Sequence, residues 1–174
     1  WSTDAGDQVD CAEEIFKFIA APEILMTYGT AFHTAPDGTD FDKMLAQRVK
    51  ARIADKLCVN FQQQMIHFRH HIGGTSVPYG DGTQISKEVI WNHLEASRNA
   101  EPKCNIFVRS HIHRYIAVEG EDWLGMVLPA LQLPGMRYGR KLTGRYSMGF
   151  VVMDFENGGY TRKCHLLSPE TRKA

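Results

Sequence analysis

The stretch FVRSHIHRY, Phe107 to Tyr115, sets an apolar run against two histidines one residue apart, His111 and His113. On a flat strand, side chains two positions apart point to the same face, and where the backbone bends two imidazoles can reach one ion. Imidazole nitrogen suits zinc, iron and nickel. The bland alternative is a chance pair at a half-exposed strand end. Three further histidines bear on the choice: His33 follows ILMTYGT, and His70 and His71 follow MIHF. Each group stands where an apolar β-type run gives way to a loop, and ligands of sheet proteins gather at the carboxyl ends of strands. One shared metal site accounts for all five. His67 within a strand, His93 within a helix and His165 near the end of the chain read as structural or surface residues.

Hydrophobic period gives the elements that must position these side chains. Asp7–Ala20 carries Val9, Ala12, Ile15, Phe16 and Ile19 at helical spacing, with acidic residues at its start where the helix dipole favours them. EILMTYG is too short for a helix and reads as a buried strand ending at Gly29. Phe41–Lys56 predicts a second helix, with Phe41, Met44, Leu45, Val49 and Ile53 on one face. KLCVNF and MIHFRHH are two β-type runs about Gln62-Gln63-Gln64, and Ile85–Ala100 predicts a third helix whose inner face is Ile85, Val89, Ile90 and Leu94. CNIFVRSH is the next strand. Two hairpins follow, turning at Glu119 to Asp122 and at Asn157-Gly158-Gly159. Helices alternating with strands and giving way to hairpins imply a layered α/β domain rather than an all-parallel sheet. A length of 174 residues suits one domain, 1–174.

Lys plus Arg and Asp plus Glu are 20 each, so no global field draws this chain to nucleic acid or to an anionic surface, and electrostatic recognition must be local. Cys11, Cys58, Cys104 and Cys164 lie far apart with no CxxC spacing, which argues against a zinc knuckle or redox pair and for buried free thiols in a reducing compartment. No apolar run approaches the roughly 18 to 20 residues that span a bilayer, and no signal-peptide pattern is present. The expectation is a cytoplasmic protein with no membrane partner.

Taken together, YGTAFHT, HFRHHIGG and VRSHIHRY, in that order and separated by helices, resemble the C-terminal part of the calcineurin-like metallophosphoesterases, particularly variants from phage and prophage genomes. The resemblance spans Tyr28 to Tyr115. It implies a four-layer α/β/β/α sandwich in which two divalent ions, Mn2+, Zn2+ or Fe2+, sit at strand ends and activate water against a phosphate ester. SHIH resembles the family's GHxH with Ser110 for glycine, which makes His111 and His113 implied metal ligands. His70 or His71 stands for the family's lone histidine ligand, with His70 preferred. GTAFH stands where GNH is expected; Thr30 replaces the asparagine and His33 is displaced by two residues, leaving His33 a catalytic part as general acid or electrostatic stabiliser. GDQVD, Gly6 to Asp10, formally spells GDxxD, but no buried strand precedes it, so Asp7 and Asp10 read as the first turn of a helix. DxH occurs nowhere. The chain therefore reads as truncated at its N-terminus, with the histidine half of a site whose bridging carboxylates, needed to neutralise two close dications, are not in view.

Arg109 and Arg114 flank the histidines, where they hold phosphate or pair with carboxylates. MRYGRKLTGRY supplies Arg137, Arg140, Lys141 and Arg145 among Tyr138 and Tyr146. Such a stretch tracks a nucleic-acid backbone and stacks on bases, or is simply a solvated loop between hairpins. The function implied is a metal-dependent phosphodiesterase or nuclease acting on a phosphoester, with nucleic acid as the candidate polymer. Two alternatives stand beside it: a non-catalytic nucleic-acid or protein binding module on the same fold, and a single histidine-held ion of structural purpose.

Overall fold

The structure, a computed structural model, describes residues 4–75, 77–131 and 146–167. The chain divides into two compact units, Trp1–Leu57 and Cys58–Ala174.

In the first unit, α1 (Ala5–Ile19) starts where Asp4 caps it, its carboxylate accepting from the Gly6 and Asp7 amides at 2.7 and 3.1 Å. Ala20, in the left-handed region, ends it. Asp7 lies in the first helical turn, and Asp10 pairs with Arg48, so the carboxylates of GDQVD belong to a helix rather than to a strand end. The second helix, α2, runs Phe41–Arg48, capped by the Asp40 carboxylate on the Lys43 amide at 3.0 Å. It stops well short of the expected Lys56. Lys50 takes a φ of 56°, and Arg52–Ala54 becomes strand β2, parallel to β1 (Leu25–Thr27) with Ile53 opposite Met26. A strand partner overrides the helical period that continues through Ile53.

The second unit is built on a five-stranded mixed sheet of order β3-β4-β5-β7-β6. The strands are β3 (Lys56–Phe61), β4 (Gln64–Arg69), β5 (Ile106–Arg109), β6 (Ile116–Glu119) and β7 (Leu124–Val127). β4 and β7 flank β5 in parallel, and β6 closes antiparallel on β7. Gln62 and Gln63, with φ of 49° and 66°, form the two-residue turn that joins β3 to β4. On one face Ile85 and Val89 of α3 (Asp81–Ser97) pack against Phe107 and Val127. On the other, Ile66, Ile106, Val108, Leu124 and Met126 meet Val151, Met153, Phe155 and Tyr160 of the hairpin β8 (Gly149–Glu156) and β9 (Gly159–Leu166). That hairpin turns at Asn157 and Gly158, both at positive φ. Helix, sheet and hairpin thus form successive layers of the mixed α/β class that the sequence implied.

α3 begins four residues earlier than its apolar period indicated, and its inner face is Ile85, Val89 and Asn92. Ile90 and Leu94, expected inside, are 60% and 43% exposed. Asn92 turns inward because its amide donates to Glu101 at 2.7 Å and to the Pro102 carbonyl at 2.9 Å, while its oxygen accepts the Cys104 amide at 2.8 Å. A polar side chain whose hydrogen bonds are met within the protein can take a core position that hydrophobic period assigns elsewhere. Burial holds for Cys104, whose thiol it pushes up to about 12; Cys11 is exposed, and Cys58 and Cys164 are half-buried. Among the described residues, no helix is long and apolar enough to cross a membrane.

Candidate functional site

In the first unit, β1 feeds Tyr28-Gly29-Thr30, and a single 3-10 turn, Ala31–His33, folds His33 back; its amide donates to the Thr30 carbonyl at 2.8 Å. The first turn of α2 presents Asp42 to it. One carboxylate oxygen lies 3.0 Å from His33 Nδ1, and the other accepts the Gly29 amide at 2.7 Å. Gly29 is required for close approach, since a Cβ there would overlap the His33 ring. Beside the ring is an open cavity of about 330 Å³, lined by Tyr28, Thr30, His33, Asp40, Asp42 and Asp55. The hydrogen bond to Asp42 raises the His33 pKa, aided by the charges of Asp42 and Asp40 and opposed by burial. This environment favours the imidazolium, the form that can give up a proton.

The second unit gathers three of the other histidines. His70 and His71 leave the end of β4 and His111 the end of the neighbouring β5, and the Ser110 amide donates to the His70 carbonyl at 2.9 Å, tying the two strand ends together. The His111 ring centroid lies 5.4 Å from that of His70 and 4.8 Å from that of His71. His111 and His113 have φ of 75° and 53°. Left-handed backbone at a non-glycine residue costs on the order of 1 kcal/mol or more, and such positions cluster at functional sites. The bend also removes the premise that HIH lies flat with both imidazoles on one face: His113 packs against Tyr146 at 6.0 Å between rings, and its carbonyl accepts the Ser147 amide at 3.0 Å.

The arginines resolve differently from the phosphate-holding expectation. Arg109 is 1% exposed; its Nε and Nη2 donate to Glu88 at 3.2 and 2.9 Å, and Nη1 donates to the His67 and Val108 carbonyls at 3.0 and 2.9 Å. Burial lowers its pKa and Glu88 opposes that shift. Arg114 pairs with Asp81 at 2.6 Å. For both, the carboxylate-pairing reading is the one the geometry shows. Arg137 and Arg140 lie outside the described residues, as do Tyr138, Lys141 and Arg145. His67 is buried against Phe107 with its Nε2 4.0 Å from Glu101, and His165 stacks on Phe150, in keeping with structural roles. Nothing in the sequence marks Asp42 or Glu88, because an acid in a helix's first turn or middle is ordinary until the fold shows what it faces.

His70, His71 and His111 are donors of the type that zinc or iron takes. Among the described residues, however, no group of three or more His, Cys, Asp or Glu side chains is placed to hold a metal ion. A two-ion centre also needs carboxylate charge between its ions. The described residues therefore do not by themselves make such a centre.

No protein-family model and no curated protein sequence matches the chain. Among solved structures it is similar to an archaeal phosphodiesterase, at 15% identity over 93% of this chain and 94% of that one, with a TM-score of 0.50. The fold is shared with that phosphodiesterase. Lower TM-scores accompany the Zn2+-complexed Vps29 of Entamoeba histolytica (0.46; 11% identity; 89% of this chain and 88% of that one) and a predicted phosphoesterase of Streptococcus pneumoniae (0.44; 12%; 90% and 91%). The layered, mixed α/β architecture expected from the sequence is the architecture found, and it is the one shared with that phosphodiesterase.

Proposed function

We propose that the protein is a phosphoester hydrolase of the phosphodiesterase or nuclease class, dependent on a divalent ion such as Mn2+, Zn2+ or Fe2+. The observation that carries this reading is the convergence of His70, His71 and His111 from the ends of two adjacent parallel strands. The His33–Asp42 pair supports it, as a proton donor within a cavity. In these roles His70, His71, His111 and His113 are ligand candidates and His33 is the catalytic residue. The test is Mn2+-stimulated cleavage of bis-p-nitrophenyl phosphate by the protein. His111→Ala and His70→Ala each lower the stimulated rate by about 100-fold or more, the scale of a lost catalytic group; turnover unchanged in both variants removes the reading.

A binding module without catalysis is the second reading. It is favoured by Arg109 and Arg114 being neutralised by Glu88 and Asp81, and by the lack of a three-donor metal group among the described residues. It predicts oligonucleotide or protein binding that is indifferent to chelator and accompanied by no hydrolysis.

A further inference from the structure

We infer that the outer face of α3 is an interface with a second copy of this chain, the two helices meeting antiparallel about a two-fold axis at Trp91. The inner face of the helix is complete. Ile85, Val89 and Asn92 are buried there, and two of the helix's acids are turned to the fold, Glu88 onto Arg109 at 2.9 Å and Asp81 onto Arg114 at 2.6 Å. The opposite face carries Ile90, Trp91 and Leu94, which are 60%, 58% and 43% exposed. Leu94 stands three and four residues from the other two, so the three side chains form one continuous patch on the helix surface. Large apolar side chains gathered at one place mark an interaction site, and tryptophan is among the residues that carry most of the energy of such sites.

The charges around the patch decide what covers it. Lys87 is exposed and pairs with no carboxylate among the described residues. Glu95, whose side chain is 38% exposed, borders the same face and holds Arg98 at 3.3 Å. Lys87 and Glu95 each stand four residues from Trp91, about 6 Å along the helix axis in opposite directions. An acidic peptide or an anionic surface that satisfied Lys87 would therefore meet Glu95, and a basic partner that satisfied Glu95 would meet Lys87. A second copy running antiparallel reverses the order. Lys87 then faces the partner's Glu95 and, by the same symmetry, Glu95 faces the partner's Lys87. Ile90 and Trp91 meet their own counterparts near the axis, and the aliphatic stem of Lys87 lies on the partner's Leu94. The apolar residues supply the affinity, and the two exposed ion pairs, which contribute little energy, set direction and register.

Sedimentation equilibrium of the protein tests the interface. The expected result is a mass that reaches that of two chains between about 1 and 100 μM, the range of a small interface; the mass of one chain throughout overturns the inference. Trp91→Ala is expected to weaken the dimer by about tenfold or more with the far-UV circular dichroism unchanged, since the side chain is exposed in the single chain. Association untouched by this change places the contact elsewhere and overturns the inference too. Charge exchange tests the direction of the helices. Lys87→Glu and Glu95→Lys each weaken the dimer by about tenfold, and the two together in one chain restore it, because the exchanged charges again face one another. A double variant no better than either single one overturns the antiparallel register. Carbodiimide cross-linking of wild type needs no variant: Lys87 and Glu95 of one helix are about 12 Å apart, so an amide bond between them forms only between copies, and its absence from the cross-linked dimer also rejects that register. Wild type that stays monomeric but sediments with phosphatidylserine vesicles assigns the patch to a membrane surface instead of a second copy.

Discussion

Asp42 serves two groups at once, the Gly29 amide and the His33 ring, and this fixes the sign of a pH effect on stability. Because the folded state raises the His33 pKa, it binds that proton more tightly than the unfolded chain, whose histidine titrates at about 6.5. The stabilisation is present in full below the unfolded value and is lost as pH rises through the raised folded value. The gap in urea midpoint between wild type and Asp42→Asn is therefore wider at acidic than at alkaline pH; a gap that widens on going alkaline contradicts the pairing. Gly29 tests the same contact from beneath. In Gly29→Ala the new methyl displaces the ring, the His33 titration midpoint falls toward the ordinary value, and stability drops by about 1–3 kcal/mol, as overpacking commonly costs. The histidine itself was legible in the sequence as an imidazole after an apolar run. Its partner was not, since Asp42 lies nine residues on, in a helix start where acids are common for reasons of dipole alone.

Between the helix α3 and the strand β5, the buried Arg109 pairs with the half-buried Glu88 and so links the helix to the strand end that carries His111, and Arg109 also binds the His67 carbonyl of β4. Removing one partner leaves a charge in a site built for two. Glu88→Ala is expected to cost about 3–5 kcal/mol in chemical denaturation, whereas Arg109→Met with Glu88→Leu recovers most of that loss. A double variant as unstable as the single one assigns the loss to packing instead. At this scale the sequence was most readable where local rules suffice. The Asn157-Gly158 turn and the β6–β7 hairpin are where turn chemistry placed them, and β1 and β5 are where compact apolar runs lie. It was least readable where a distant partner decides. Ile53 looked helical until β1 paired with it, and the apolar period of the third helix left out Asn92, whose bonds Glu101, Pro102 and Cys104 complete inside. Asp4 capped α1 earlier than its apolar period suggested, and Ile90 and Leu94 kept the period of an inner face while remaining exposed.

For the molecule as a whole, equal numbers of acids and bases mean that an extended polyanion gains nothing from a global field, so any nucleic-acid substrate must be held by a local basic segment. Arg109 and Arg114, each paired to a carboxylate, have their charge already balanced. Arg137, Arg140, Lys141 and Arg145 are the remaining concentrated run in the sequence, with Tyr138 and Tyr146 interleaved. Each cation that neutralises a phosphate of a single strand releases counterions and adds about 0.7 to the slope of log affinity against log salt. If the substrate is a polynucleotide, fluorescence anisotropy of a labelled single strand across a salt series gives a slope that falls by about 0.7 for each of Arg137→Ala and Arg140→Ala. Tyr138→Ala weakens binding at every salt concentration without changing the slope, by about 1–3 kcal/mol for a lost stacking contact. A slope unchanged by both arginine variants assigns the run to a solvated loop. Cleavage of bis-p-nitrophenyl phosphate that persists in those variants then places the chemistry with small phosphodiesters, which need only the open cavity beside His33 and no basic track.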